Sequence, residues 1–154
     1  MKSIVQIALA GLALVNLVSC SSDASVSNQS TSLPTVNEIT QNFDKINHEG
    51  GRGNYFTFFL SNDYLIQAAA NKGDSFVRCE ASHNLKSNDL TNTQKITLEK
   101  LGWLKPDVGE VNYWIMQPLT TKEETKELSE LFIKTITEVY HSSSVDSLVV
   151  NLEK

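Results

Sequence analysis

Two short connections constrain this chain more than any other feature. Three strand-like runs follow one another between residues 54 and 82: Asn54–Ser61 (NYFTFFLS), Tyr64–Ala70 (YLIQAAA) and Ser75–Ser82 (SFVRCEAS). Only Asn62-Asp63 separates the first pair, and Asn71-Lys72-Gly73-Asp74 the second. Parallel strands need a crossover of roughly a dozen residues or more, so these runs can pair only as an antiparallel meander. The residues in the gaps are turn formers. In the third run Val77, Cys79 and Ala81 alternate with Phe76, Arg78 and Glu80, the period of a strand with two unlike faces. Ala68–Ala70 would suit a helix, but the segment is too short to stand as one.

Helices frame the meander. Thr35 followed by Glu38 is a capping-box pattern, and Val36, Ile39, Phe43 and Ile46 share one helical face. Gly50-Gly51-Arg52-Gly53 stops that helix. Thr91 with Gln94 repeats the pattern and leads through Ile96, Leu98 and Leu101 to Gly102, a C-terminal stop. Val111–Leu119 (VNYWIMQPL) reads as a further strand, ended by Pro118. Thr121 with Glu124 opens the last helix, whose Leu128, Leu131, Phe132, Thr135, Ile136 and Val139 keep helical spacing. The tail Val145–Leu152 is apolar and open to either strand or helix. The expected order is α-β-β-β-α-β-α. The fold class is α+β: one antiparallel sheet, a three-strand meander plus a later strand, covered by helices. Residues 34–154 suffice for a single domain with one core.

The first nineteen residues are built differently. Lys2 is their only charge, and Ile4–Val18 is an apolar run broken only by Gln6 and Asn16. Fifteen residues suit the core of a signal peptide, whereas a membrane-crossing helix needs roughly 20. The run ends in Leu17-Val18-Ser19-Cys20, which resembles the lipobox of bacterial lipoproteins. The resemblance implies cleavage after residue 19, a diacylglycerol thioether on Cys20 and an acyl chain on its new amine. Two or three acyl chains, at ~0.8 kcal/mol per buried CH₂, hold a protein on a membrane essentially permanently. Ser21, where inner-membrane lipoproteins of diderm bacteria usually carry Asp, favours the outer membrane in such an organism. The domain would then lie in the periplasm or at the cell surface. Residues 20–33 are Ser-rich and poor in apolar side chains, the composition of a disordered tether. A coil of that kind spans on average about 20 Å.

An ordered set of residues in the remainder carries a second resemblance. Phe76 to Asn84 (FVRCEASHN) is followed by Leu90, Gln94 and Leu98, then Leu101-Gly102-Trp103 with Pro106, then Asn112-Tyr113-Trp114. This set resembles the TY-Chap family, related to the YbjN and type III secretion chaperones, over roughly residues 53–141. The resemblance implies a secretion-chaperone-like α+β fold and a small ATP-independent binding module, non-enzymatic and often a homodimer. Chaperones of that family are typically cytosolic, whereas this chain carries an export signal.

The chemistry-bearing residues point the same way. Lys plus Arg number 13 and Asp plus Glu 18, a net charge of −5, which argues against nucleic acid as a partner. His48, His83 and His141 are scattered without metal spacing, and no metal site or cofactor is expected beyond the lipid on Cys20. Cys79 sits between Val77 and Ala81 and reads as a buried structural thiol. His83, four residues along a strand, would be ~13 Å away, so the two do not form a catalytic pair. The glycine run at 50–53 follows a helix and lacks the Lys-Ser/Thr of a phosphate loop. Trp103, Tyr113 and Trp114 are the candidates for partner binding, because large aromatics with polar tips dominate interface energies. The reading that results is a lipid-anchored envelope module that engages a protein partner without catalysis. An envelope enzyme with an unseen cleft and a purely structural lipoprotein are the alternatives.

Overall fold

The computed structural model describes residues 24–27, 32–60, 63–83 and 90–154. The apolar leader, Cys20 and Ser21 lie outside the described residues. The elements are β1 (Ala24–Ser27), α1 (Val36–His48), β2 (Asn54–Leu60), β3 (Tyr64–Ala70), β4 (Phe76–His83), α2 (Asn92–Lys100), β5 (Tyr113–Pro118), α3 (Lys122–Lys134) and β6 (Val145–Asn151). Between α3 and β6 the helix continues for one π turn, Thr135–Val139. The strands form one sheet in the order β1-β6-β2-β3-β4-β5, antiparallel throughout. The fold is α+β, as expected, with the meander β2-β3-β4 at its centre.

Each helix begins as its sequence requires. Thr35, Thr91 and Thr121 each accept the N–H three residues on, and Glu38, Gln94 and Glu124 reach back to close the box. Those bonds from the backbone and hydroxyl of Thr35 hold the Glu38 carboxyl below its ordinary value. At the other end of α1, Gly50 turns the chain with φ +68°, and a Cβ there would meet Asn54 Oδ1 at 2.5 Å. Asn54 needs that space. Fully buried, it donates to the carbonyls of Ile46 and Glu49 (both 2.8 Å) and accepts from the Glu153 amide at 3.0 Å. One side chain thus closes α1 and fastens the end of the chain beside β2.

The helices cover one face of the sheet. Phe43 of α1 meets Phe56 of β2 edge to face at 4.9 Å and Phe132 of α3 at 5.3 Å. Around them Ile39, Ile46, Ile66, Ala68, Val77, Cys79, Leu98 and Ile136 are fully buried. The small Ala68, paired with Phe56 and with Cys79, leaves room for the rings above it.

One feature settles an open expectation and two depart from the sequence reading. The tail is a strand, β6, which lies between β1 and β2 rather than trailing from α3. Within the segment expected as a free tether, Ala24–Ser27 pairs with β6 through main-chain ladder bonds, which depend little on side-chain composition. The last helix is not regular to its end. The Tyr140 amide bonds to the carbonyl of Thr135 five residues back, at 3.2 Å. The extra residue turns Tyr140 inward, where its ring stacks on Tyr64 at 4.5 Å. Gln94 Nε2 takes up the carbonyl of Val139 at 3.2 Å. Among the described residues no helix is long and apolar enough to cross a membrane.

Candidate functional site: the uncovered face of the sheet

Strand alternation sends every second residue to the face away from the helices. On β2 to β5 these are Tyr55, Thr57, Phe59, Leu65, Gln67, Ala69, Phe76, Arg78, Glu80, Ser82, Trp114 and Met116, matched across the strands as Thr57↔Gln67, Gln67↔Glu80, Glu80↔Trp114 and Arg78↔Met116. Among the described residues no helix covers them. A carboxylate at the centre of such a face needs donors, and Glu80 has them. It is only 4% exposed, and it accepts from Gln67 Nε2 (2.9 Å), Arg78 Nε (2.8 Å) and Asn112 Nδ2 (2.8 Å). Thr57 extends the row by donating to Gln67 at 3.3 Å.

Arg78 ties the row to the surface. Its guanidinium holds Glu80, reaches Glu110 at 3.3 Å, and lies 5.1 Å from the centre of the Trp114 ring. Partial burial works against its charge, but the bonds and attraction to Glu80, with Glu110 behind, outweigh that and raise its pKa. The Trp114 indole N–H is shielded and has no acceptor among the described residues. Around the network the face is apolar and open: Phe76 is 56% exposed and Met116 50%, with Tyr55 further along. This combination of a bonded polar centre and exposed apolar side chains suits contact with another chain.

The aromatic candidates divide. Trp114 lies on this face. Trp103 does not: it is 2% exposed, packs towards Phe132, and its Nε1–H donates to Thr135 Oγ1 at 3.0 Å. Tyr113 faces the helices, buried, and reaches Glu99 with its hydroxyl at 3.4 Å. Burial, and next the charge of Glu99, push that hydroxyl's pKa upward. Both serve packing, because a flat ring beside a helix fills volume that no smaller residue would. Cys79 is wholly buried on the helix side, and burial, with the Glu80 charge beyond it, raises its thiol well above the ordinary value.

Two clefts lie elsewhere. One, about 570 Å³, runs between the end of α1 and the start of α3, past Gln41, His48, Leu119, Thr121 and Lys122. The other, about 360 Å³, lies beside the loop after α2, past Leu90, Lys95, Pro106 and Glu110. His48 in the first is engaged with the carbonyl of Asp44 at 3.0 Å. Among the described residues no group of three His, Cys, Asp or Glu could hold a metal.

Sequence reasoning missed Gln67, Arg78, Glu80, Asn112, Phe76 and Met116 as a group. The signal was half visible, since Phe76, Arg78 and Glu80 alternate with a buried set. Asn112 lies 32 residues from Glu80 in the chain, and only the β4-β5 pairing brings them together.

No curated protein and no solved structure shows significant similarity to this chain. Residues 48–153 match the family model described as TY-Chap3, T3SS (YopN, CesT) and YbjN peptide-binding chaperone 3. The match takes in β2 to β6, and so the whole of the face that carries Glu80. The chain therefore belongs to the TY-Chap3 family of peptide-binding chaperone domains.

Proposed function

We propose that this protein is a lipid-anchored module of the cell envelope that holds a segment of a partner protein against the uncovered face of its sheet, without catalysis. The observation that carries the reading is the pair of exposed apolar residues, Phe76 and Met116, flanking a network built around Glu80. Arg78 and Trp114 form the rigid floor of the site. Phe76 and Met116 stand exposed beside it to meet the client, and methionine suits variable contact.

The anchor reading rests on the run Ile4–Val18 and on Leu17-Val18-Ser19-Cys20. Ser21 favours the outer membrane in a diderm organism, and the lipid on Cys20 is the only attached group proposed. A homodimer is compatible with the family but is not needed for the site.

The test is capture of partners by the full-length protein from detergent-solubilised membranes, with a Phe76→Ser, Met116→Ser double variant as control. A stoichiometric protein retained by the wild type and lost by an equally stable variant supports the reading. Equal retention, or none, counts against it. Labelling with a fatty-acid analogue, wild type against Cys20→Ala, tests the anchor separately; equal labelling would sink it.

A further inference from the structure

The two edges of the sheet are closed in different ways. On β5, Leu104 exchanges hydrogen bonds with Trp114 (2.9 and 3.1 Å), a single bridge from the adjoining loop. On β6 the cover is a distant segment of the chain. β1 pairs Ala24↔Asn151, Ser25↔Val150, Val26↔Val149 and Ser27↔Leu148, and further along the Val145 amide reaches the carbonyl of Ser32 at 3.4 Å. The family match covers residues 48–153 and so takes in β6 but not β1.

The register shows how loosely that addition suits its place. Val150 and Leu148 belong to the helix-covered face of β6, since they pair with Phe56 and Phe58 of β2. Val150 is buried and Leu148 half-buried. The positions opposite them are Ser25 and Ser27, where the sheet offers an apolar neighbour to a polar residue. Four residues of main-chain pairing barely offset the entropy of ordering them. An extended segment with apolar or β-branched residues at those two positions would pair better.

We propose that the outer edge of β6 is a strand-accepting site, held in the free protein by Ala24–Ser27 as a weak placeholder. Its occupant is an extended peptide that pairs antiparallel with β6 and carries β-branched or other apolar residues opposite Val150 and Leu148. Displacement of β1 opens the site. This deepens the peptide-binding reading and rests on it for the natural occupant, but the edge can be tested by itself.

The test uses the full-length protein and a fluorescent synthetic peptide of residues 21–33 bearing the substitutions S25V and S27V. Two chain variants bracket the wild type. S25P/V26P removes main-chain donors from β1, and S25V/S27V places apolar residues where the placeholder is weak. The S25P/V26P protein should bind the peptide at least tenfold more tightly than wild type, and the S25V/S27V protein at least tenfold more weakly. Hydrogen exchange gives an independent reading. In S25P/V26P the outward amides of β6 should lose protection, while those bonded to β2 keep it and report an intact fold. Equal affinity across the three proteins, or no binding to a folded S25P/V26P chain, overturns the proposal. So does loss of peptide binding in Phe76→Ser, Met116→Ser, which would place the peptide on the uncovered face instead. Edge binding that survives those two changes, with partner capture insensitive to them, would defeat only the reading of the face.

Discussion

On β4, neighbouring residues live under different rules. Val77, Cys79 and Ala81 face the helices, are wholly buried, and are held by close packing with Phe56, Ile66 and Ile115 nearby in the sheet. Arg78 and Glu80 face the other way, and Glu80 is almost as buried as they are. Its burial is tolerated because Gln67, Arg78 and Asn112 supply donors from three strands or their ends. The covered face obtains stability from removing apolar area from water. The uncovered face obtains definition from directed bonds and leaves Phe76 and Met116 in solvent. A single strand thereby separates what keeps the protein folded from what it can offer to a partner.

The comparison breaks most sharply at Phe132. Phe132→Ala leaves a void beneath Phe43 and Phe56 and should cost about 3–5 kcal/mol, read as a lower midpoint in urea. A loss below about 1 kcal/mol would mean that the three rings are not one core. Next comes Glu80→Ala, which strands Arg78, Gln67 and Asn112. Because Arg78 stays about a third exposed, the expected cost is smaller, about 1–3 kcal/mol. No loss would show the network to be ornamental to folding.

The pH response sharpens the contrast. The buried Cys79 thiol has a raised pKa, so above about 9 the unfolded chain ionises there while the folded chain does not. Its share of stability is complete below that pH and falls as pH climbs towards the raised value. Tyr113 and Tyr140, also raised by burial, add to the loss at still higher pH. Denaturation at pH 7 and pH 10 should show a marked fall, and Cys79→Ala should flatten part of it. A slope unchanged by that substitution would remove Cys79 from the account.

At the exposed apolar residues of the uncovered face the effects on stability should be smallest. Phe76→Ser and Met116→Ser should each lie within about 0.5 kcal/mol of wild type, while partner retention falls. Trp114→Phe keeps a ring near Arg78 and deletes an unsatisfied donor, so stability should hold or rise slightly. A marked loss of stability in Trp114→Phe would show that the indole N–H is bonded after all.

Much of the frame was legible because it depends on near neighbours. Three capping boxes, each a Thr with an acid or amide three residues on, located all three helix starts. Two short turns required the meander. The π turn escaped because Thr135 to Val139 keeps the spacing of an ordinary helix; the extra residue appears only where Tyr140 must meet Tyr64. Trp103 and Tyr113 looked available as contact residues because a flat ring is equally suited to a surface and to a core. The structure places both in the core, where Trp103 donates its N–H to Thr135, 32 residues further along the chain.

The sequence by itself determined the three helices, the strands β2 to β5, the antiparallel meander and the family, since these follow from capping, turn length, two-residue alternation and an ordered set of motif residues. The tertiary structure alone decided that β6 returns beside β2, that β1 closes the remaining edge, and that Glu80 meets Asn112. Those contacts join residues far apart in the chain, where the outcome depends on which edges and donors are still unsatisfied once the rest has folded.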